Sequence, residues 1–66
     1  MEGISWADID ADEQRTIAML GAGFSAKFCD AVALLTLARL DLVKGSRLTP
    51  VGDQLRRAAI LQQLAA

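Results

Sequence analysis

The sixteen residues Leu37–Gly52 do most to constrain what this chain folds into. They run Leu-Ala-Arg-Leu-Asp-Leu-Val-Lys-Gly-Ser-Arg-Leu-Thr-Pro-Val-Gly. In order, they read as a helix end, a tight hairpin and the start of a new helix. Leu42-Val43 and Leu48-Thr49 flank Lys44-Gly45-Ser46-Arg47. Gly-Ser suits the centre of a type II′ turn, where Gly takes the first, positive-φ position, so each hairpin arm is expected to be about two or three residues long. Thr49 then caps a helix whose first position is Pro50, a place where no N–H is needed. Val51, Leu55, Ala59, Leu61 or Gln62, and Leu64 continue at helical spacing. Asp53 sits in the first turn, where negative charge is favoured.

Upstream, residues 1–9 hold Gly3 and Trp6 and read as a lead-in, with Trp6 and Ile9 placed to pack together. Asp8 or Asp10 is the natural N-cap of a first helix, because a carboxylate accepts from the free N–H groups of the first turn. Asp10-Ala11-Asp12-Glu13 has the form of a capping box. Ile17 and Leu20 are expected to face inward, with Met19 beside them. Gly21-Ala22-Gly23 stops this helix, since Gly takes the left-handed C-cap conformation without strain.

Ser25 is expected to cap a second helical stretch. Phe28, Val32 and Leu35 recur at i, i+4 and i+7 and predict its buried stripe. Phe24 is placed to fold back on Cys29, and Phe28 to seal the helix start. Ala31, Leu34 and Ala38 add a second apolar side, as in a deeply buried helix. No Gly or Pro interrupts Ser25 to Val43, so residues 25–43 form either one long helix or two, with Thr36 a possible break point. There are no internal repeats. The expected fold class is therefore mainly α: three or four helices with a minimal β-hairpin, in a single domain over residues 1–66.

A domain this small leaves a large share of its surface exposed. Apolar residues are 53% of the chain, yet only Trp6, Phe24 and Phe28 are aromatic, so the core must be aliphatic. That much apolar surface also makes a homodimer plausible as cover, with Leu61 and Leu64 a candidate seam on the last helix. Cys29 is the only cysteine, which excludes an internal disulfide and suits a reducing, cytoplasmic setting. With no His and no CxxC, a zinc site is not expected. The apolar run Ala31 to Leu35 is far too short to cross a bilayer, and Glu2 without a basic cluster argues against a signal peptide.

Net charge is −1 but unevenly placed: residues 1–33 carry −4 and residues 34–66 carry +3. The basic half holds Arg39, Lys44, Arg47, Arg56 and Arg57, a distribution that steers an anionic partner toward it or draws the two halves together.

The run from Leu40 to Gly52, with Leu48-Thr49-Pro50-Val51-Gly52 at its end, resembles the wing-to-helix portion of bacterial winged-helix regulators. Those of the multiple-antibiotic-resistance type carry a similar Leu-Thr-Pro-x-Gly. The resemblance covers roughly a quarter of the chain. It implies a helix-turn-helix body, a wing and a closing helix. It further implies that Thr36 to Arg39 lie on a recognition helix and that Lys44, Ser46 and Arg47 lie on the wing. The nucleic-acid-binding candidates are thus Thr36, Arg39, Lys44, Ser46 and Arg47, facing double-stranded DNA.

No catalytic constellation is visible: there is no His, one Cys and no convergent acid pair, so neither an enzyme, a cofactor nor a small-molecule ligand is expected. Cys29 reads as a buried inert thiol. Asp8, Asp10, Asp12 and Glu13 lack the Gly and distal Glu of a calcium loop and read as caps. Gly21-Ala22-Gly23 lacks the glycine pattern of a phosphate loop. Two functions remain. The first is a DNA-binding, transcription-regulatory module. The second is a protein-interaction or homo-oligomerisation module that shares the shape without binding DNA. The Leu-Thr-Pro-x-Gly run and the basic second half favour the first. The net charge and the short wing favour the second.

Overall fold

The computed structural model describes residues 4–65 and, within that span, all side chains except those of residues 63 and 65. Glu2 and Gly3 lie outside it. Three helices, α1 (Ala11–Gly21), α2 (Ala31–Arg39) and α3 (Pro50–Ala65), surround one antiparallel hairpin, β1 (Val43–Lys44) and β2 (Arg47–Leu48). Short 3-10 turns at Trp6–Asp8 and Ala26–Phe28 lead into the first two helices. The architecture is mainly α and winged-helix-like. Among the described residues no helix is long and apolar enough to cross a membrane.

Helix α1 begins at a capping box. The Glu13 N–H donates to Asp10 Oδ1 at 2.8 Å, and the Asp10 N–H donates to Glu13 Oε1 at 3.0 Å. Two of the helix-end N–H groups are thereby satisfied reciprocally. Gln14 ties the lead-in to this helix, its Nε2 donating to the carbonyls of Trp6 and Ile9 at 3.0 and 3.3 Å. The far end is a Schellman motif with Gly23 at φ 97°. The Phe24 N–H reaches Met19 O at 3.0 Å, and the Gly23 N–H reaches Leu20 O at 3.1 Å.

The segment from Phe24 to Val43 differs from expectation in several ways. It is neither one long helix nor two α-helices but a single 3-10 turn followed by α2. Ser25 caps only the short turn, its Oγ accepting from the Lys27 N–H at 3.3 Å. The cap of α2 is Asp30, whose Oδ2 accepts from the Ala33 N–H at 2.9 Å. Thr36 breaks nothing and sits inside α2. The buried stripe is also a different one: Ala33 and Leu37 are buried and Leu34 half-buried, whereas Phe28, Val32 and Leu35 face outward. Phe24 is exposed rather than folded onto Cys29, Cys29 is half-buried, and Ala31 and Ala38 are exposed.

A second Schellman motif sets that rotation. Asp41 stands at φ 63° just past α2, the Leu42 N–H donates to Leu37 O at 2.9 Å, and the Asp41 N–H donates to Ala38 O at 3.1 Å. Such motifs bring the two flanking apolar side chains together. Here those are Leu37 and Leu42, both fully buried. They join Ile9, Ile17, Val43 and Leu55 in the core, with Ile4, Trp6, Leu20, Leu34 and Leu48 packed around it. Trp6 and Ile9 thus belong to the same cluster, as their spacing suggested.

The hairpin pairs Val43 with Leu48 and Lys44 with Arg47. Gly45 and Ser46 have φ of 56° and 67°. Positive φ at both positions marks a type I′ turn in place of the expected II′, and its twist matches that of the strands. Thr49 then organises the entry to α3. Its N–H donates to Leu42 O at 3.0 Å, its Oγ1 donates to Asp41 O at 2.6 Å, and the same oxygen accepts from the Gly52 N–H at 3.1 Å. Along α3, Gly52, Leu55 and Ala59 are buried, while Val51, Leu61 and Leu64 are exposed.

Candidate interaction site

The outward face of α2 carries exposed apolar side chains where a polar face is usual. Val32 is 71% exposed and Leu35 56%, and Phe28, on the turn that feeds α2, is 66% exposed. Phe24 adds a second exposed aromatic side chain just upstream. These positions were expected to be core. They stand in solvent because Asp30 and the Leu37–Leu42 closure fix the helix with Ala33 and Leu37 inward. Scattered exposed apolar residues are ordinary, but several together on one face make it a candidate contact surface.

The five residues proposed from the resemblance are placed as follows. Lys44, Ser46 and Arg47 are exposed together at the hairpin, and Arg39 is exposed at the last position of α2. Thr36 is half-buried one turn before Arg39. The structure therefore gathers three of the five on the wing and leaves two at the C-terminal end of α2. A recognition helix reads base edges with the side chains of its N-terminal residues. On α2 those are Ala31 and Val32, which carry no hydrogen-bonding group.

The remaining bases of the second half are engaged otherwise. Arg57 Nε pairs with Asp53 Oδ2 at 2.8 Å, an exposed i,i+4 bridge of small energetic weight. Arg56 is half-buried and lies over Gly21, where an added Cβ would meet its side chain. A small hollow of about 230 Å³ beside it is lined by Trp6, Ala18, Ala59 and Ile60.

The second exposed apolar surface lies at the end of α3. Beyond Ala59 no described side chain of the helix is buried, and Leu61 and Leu64 are 66% and 78% exposed. Sequence reasoning found this patch. It missed the α2 face, although one signal was present: Asp30, directly before the apolar run, is as strong a cap as Ser25. Starting the helix there leaves Phe28 outside it.

Comparison with protein-family models, curated proteins and solved structures gives no match.

Proposed function

We propose that this chain is a small interaction module of winged-helix shape that self-associates through the outward face of α2. The observation that carries the reading is the exposure of Phe28, Val32 and Leu35 where a DNA-reading helix carries polar side chains. Burying an exposed aliphatic or aromatic side chain contributes about 1.5–3 kcal/mol. A two-fold contact counts every such residue twice, because it is self-complementary. Association entropy offsets much of that gain, so the dimer is weak and concentration-dependent. A reducing, cytoplasmic setting, in keeping with the single Cys29, belongs to the same reading.

Sedimentation velocity over a concentration series tests it. The wild-type chain should shift from monomer to dimer. The double substitution Val32→Asp with Leu35→Asp should remain monomeric, while Leu61→Asp with Leu64→Asp should still dimerise. If only the α3 pair abolishes the dimer, the contact belongs to the last helix and the α2 assignment is wrong.

A second reading, contact with double-stranded DNA, is supported by the exposed bases Arg39, Lys44 and Arg47 at the α2 end and wing, and by the resemblance to regulators of the multiple-antibiotic-resistance type. Such binding rests on phosphate contacts and weakens steeply with salt. An apolar dimer does not. Titration of duplex DNA into isotope-labelled protein at low and high salt therefore separates the two readings.

A further inference from the structure

Antiparallel strands alternate hydrogen-bonded and non-bonded residue pairs. At Leu42 and Thr49 the ladder keeps one bond, the Thr49 N–H donating to Leu42 O at 3.0 Å, while the Leu42 N–H goes to Leu37 O. The next pair, Val43 and Leu48, is therefore non-bonded, and Leu48 directs its N–H and C=O away from β1 toward the outer edge of β2. Outside the hairpin's own ladder, no backbone hydrogen bond among the described residues involves Leu48. Beyond that edge lies a cleft of about 460 Å³, bounded by the hairpin from Gly45 to Leu48 on one side and by Gly23–Ala26 on the other. Ser25 opposite is extended, at φ −70° and ψ 145°, yet it does not join the sheet. The hairpin thus has an open edge, an extended segment across the cleft from it, and between them a gap of the size that holds a ligand.

The lining selects what fits. Among the lining residues Leu20, Phe24 and Leu48 are apolar, Ser46 and Arg47 have side chains that can donate, and the register turns the Leu48 N–H to the same edge. Ser25 Oγ already accepts from the Lys27 N–H. We infer that the cleft takes an extended peptide segment bearing an acidic side chain, which adds to β2 as a third strand through Leu48 and sets its carboxylate on Arg47. Added strands gain affinity from main-chain hydrogen bonds and specificity from alternate side chains. This site shares only Phe24 with the apolar surface around α2 and does not rest on dimerisation there.

The test is a titration of the isotope-labelled full chain with the capped peptide Thr-Val-Asp-Val-Thr. Comparison arms are the same peptide with Lys for Asp, versions N-methylated at alternate residues, and acetate alone. The acidic peptide should move the amide signals of Leu48, Phe24 and Ser25. One N-methylated register should bind about five- to tenfold more weakly, the loss expected of a single hydrogen bond. Arg47→Gln, an exposed change that leaves the fold intact, should weaken the acidic peptide and leave the Lys peptide as weak as before. Three results would overturn the proposal: equal shifts with acetate alone, affinity indifferent to N-methylation, or shifts confined to Val32 and Leu35.

Discussion

Gly52 lies with its Cα against the carbonyl oxygen of Leu42, so closely that a Cβ at position 52 would run into that oxygen. The same carbonyl accepts the Thr49 N–H. One backbone oxygen therefore locks the start of α3 onto the chain leaving α2. This gives the Leu-Thr-Pro-x-Gly run a physical meaning: Leu48 packs on the core, Thr49 caps and cross-links, Pro50 opens the helix, and Gly52 permits the approach.

The first prediction follows from that contact. Gly52→Ala adds a methyl group that neither the helix nor the Leu42 backbone can absorb without shifting. Alanine's higher helix propensity recovers less than about 1 kcal/mol. The overpacking term is larger, so the variant should lose about 2 kcal/mol and roughly 10 °C in Tm. Thermal unfolding followed by circular dichroism reads this directly, and an unchanged or raised Tm contradicts it.

Thr49→Val keeps the shape of the side chain and removes both hydroxyl interactions, the donation to Asp41 O and the acceptance from Gly52 N–H. Loss of a cap together with a side-chain bond should cost about 1–2 kcal/mol. Urea unfolding should show a lower midpoint with the same slope, the mark of a change in stability alone.

Asp41 holds a left-handed conformation at φ 63° just past the C-terminus of α2. A non-glycine residue pays a steric penalty of about 1 kcal/mol there, and its negative charge faces the negative end of the helix dipole. Asp41→Gly should therefore stabilise the chain by about 0.5–1 kcal/mol despite the added freedom of its unfolded state. A fall in Tm would show that the aspartate side chain makes a compensating contact.

Much of this organisation was legible in the chain. The capping box at Asp10 and Glu13, the stop at Gly23, the hairpin and the Thr49-Pro50 start are set by neighbours a few residues apart, and local chemistry determines them. The rotation of α2 is not local. Residues 31–38 offer two stripes of comparable hydrophobicity, Val32 with Leu35 and Ala33 with Leu34 and Leu37. The choice between them is made by the contact of Leu37 with Leu42 across the Schellman turn. Asp41 hid that turn, because the left-handed position usually falls to Gly or Asn. The outward α2 face went unread for the same reason: Phe28, Val32 and Leu35, expected to fill the core, are left outside it. The type I′ turn was missed at one residue, Ser46, which takes a positive φ without being glycine.

The two stripes should separate cleanly by mutation. Leu37→Ala opens a cavity in the core and should cost about 2–5 kcal/mol. Leu35→Ala, on a side chain 56% exposed, should change monomer stability by less than about 0.5 kcal/mol. Equal losses at the two positions would mean that the helix is turned the other way.

Self-association through the outward α2 face is decided by comparing the sedimentation of the wild-type chain with that of the Val32→Asp, Leu35→Asp double variant over the same concentration range. The wild-type chain should form a dimer that grows with concentration, and the folded variant should stay monomeric throughout. A wild-type chain that remains monomeric at the highest concentration, or a variant that dimerises as readily as the wild type, contradicts it.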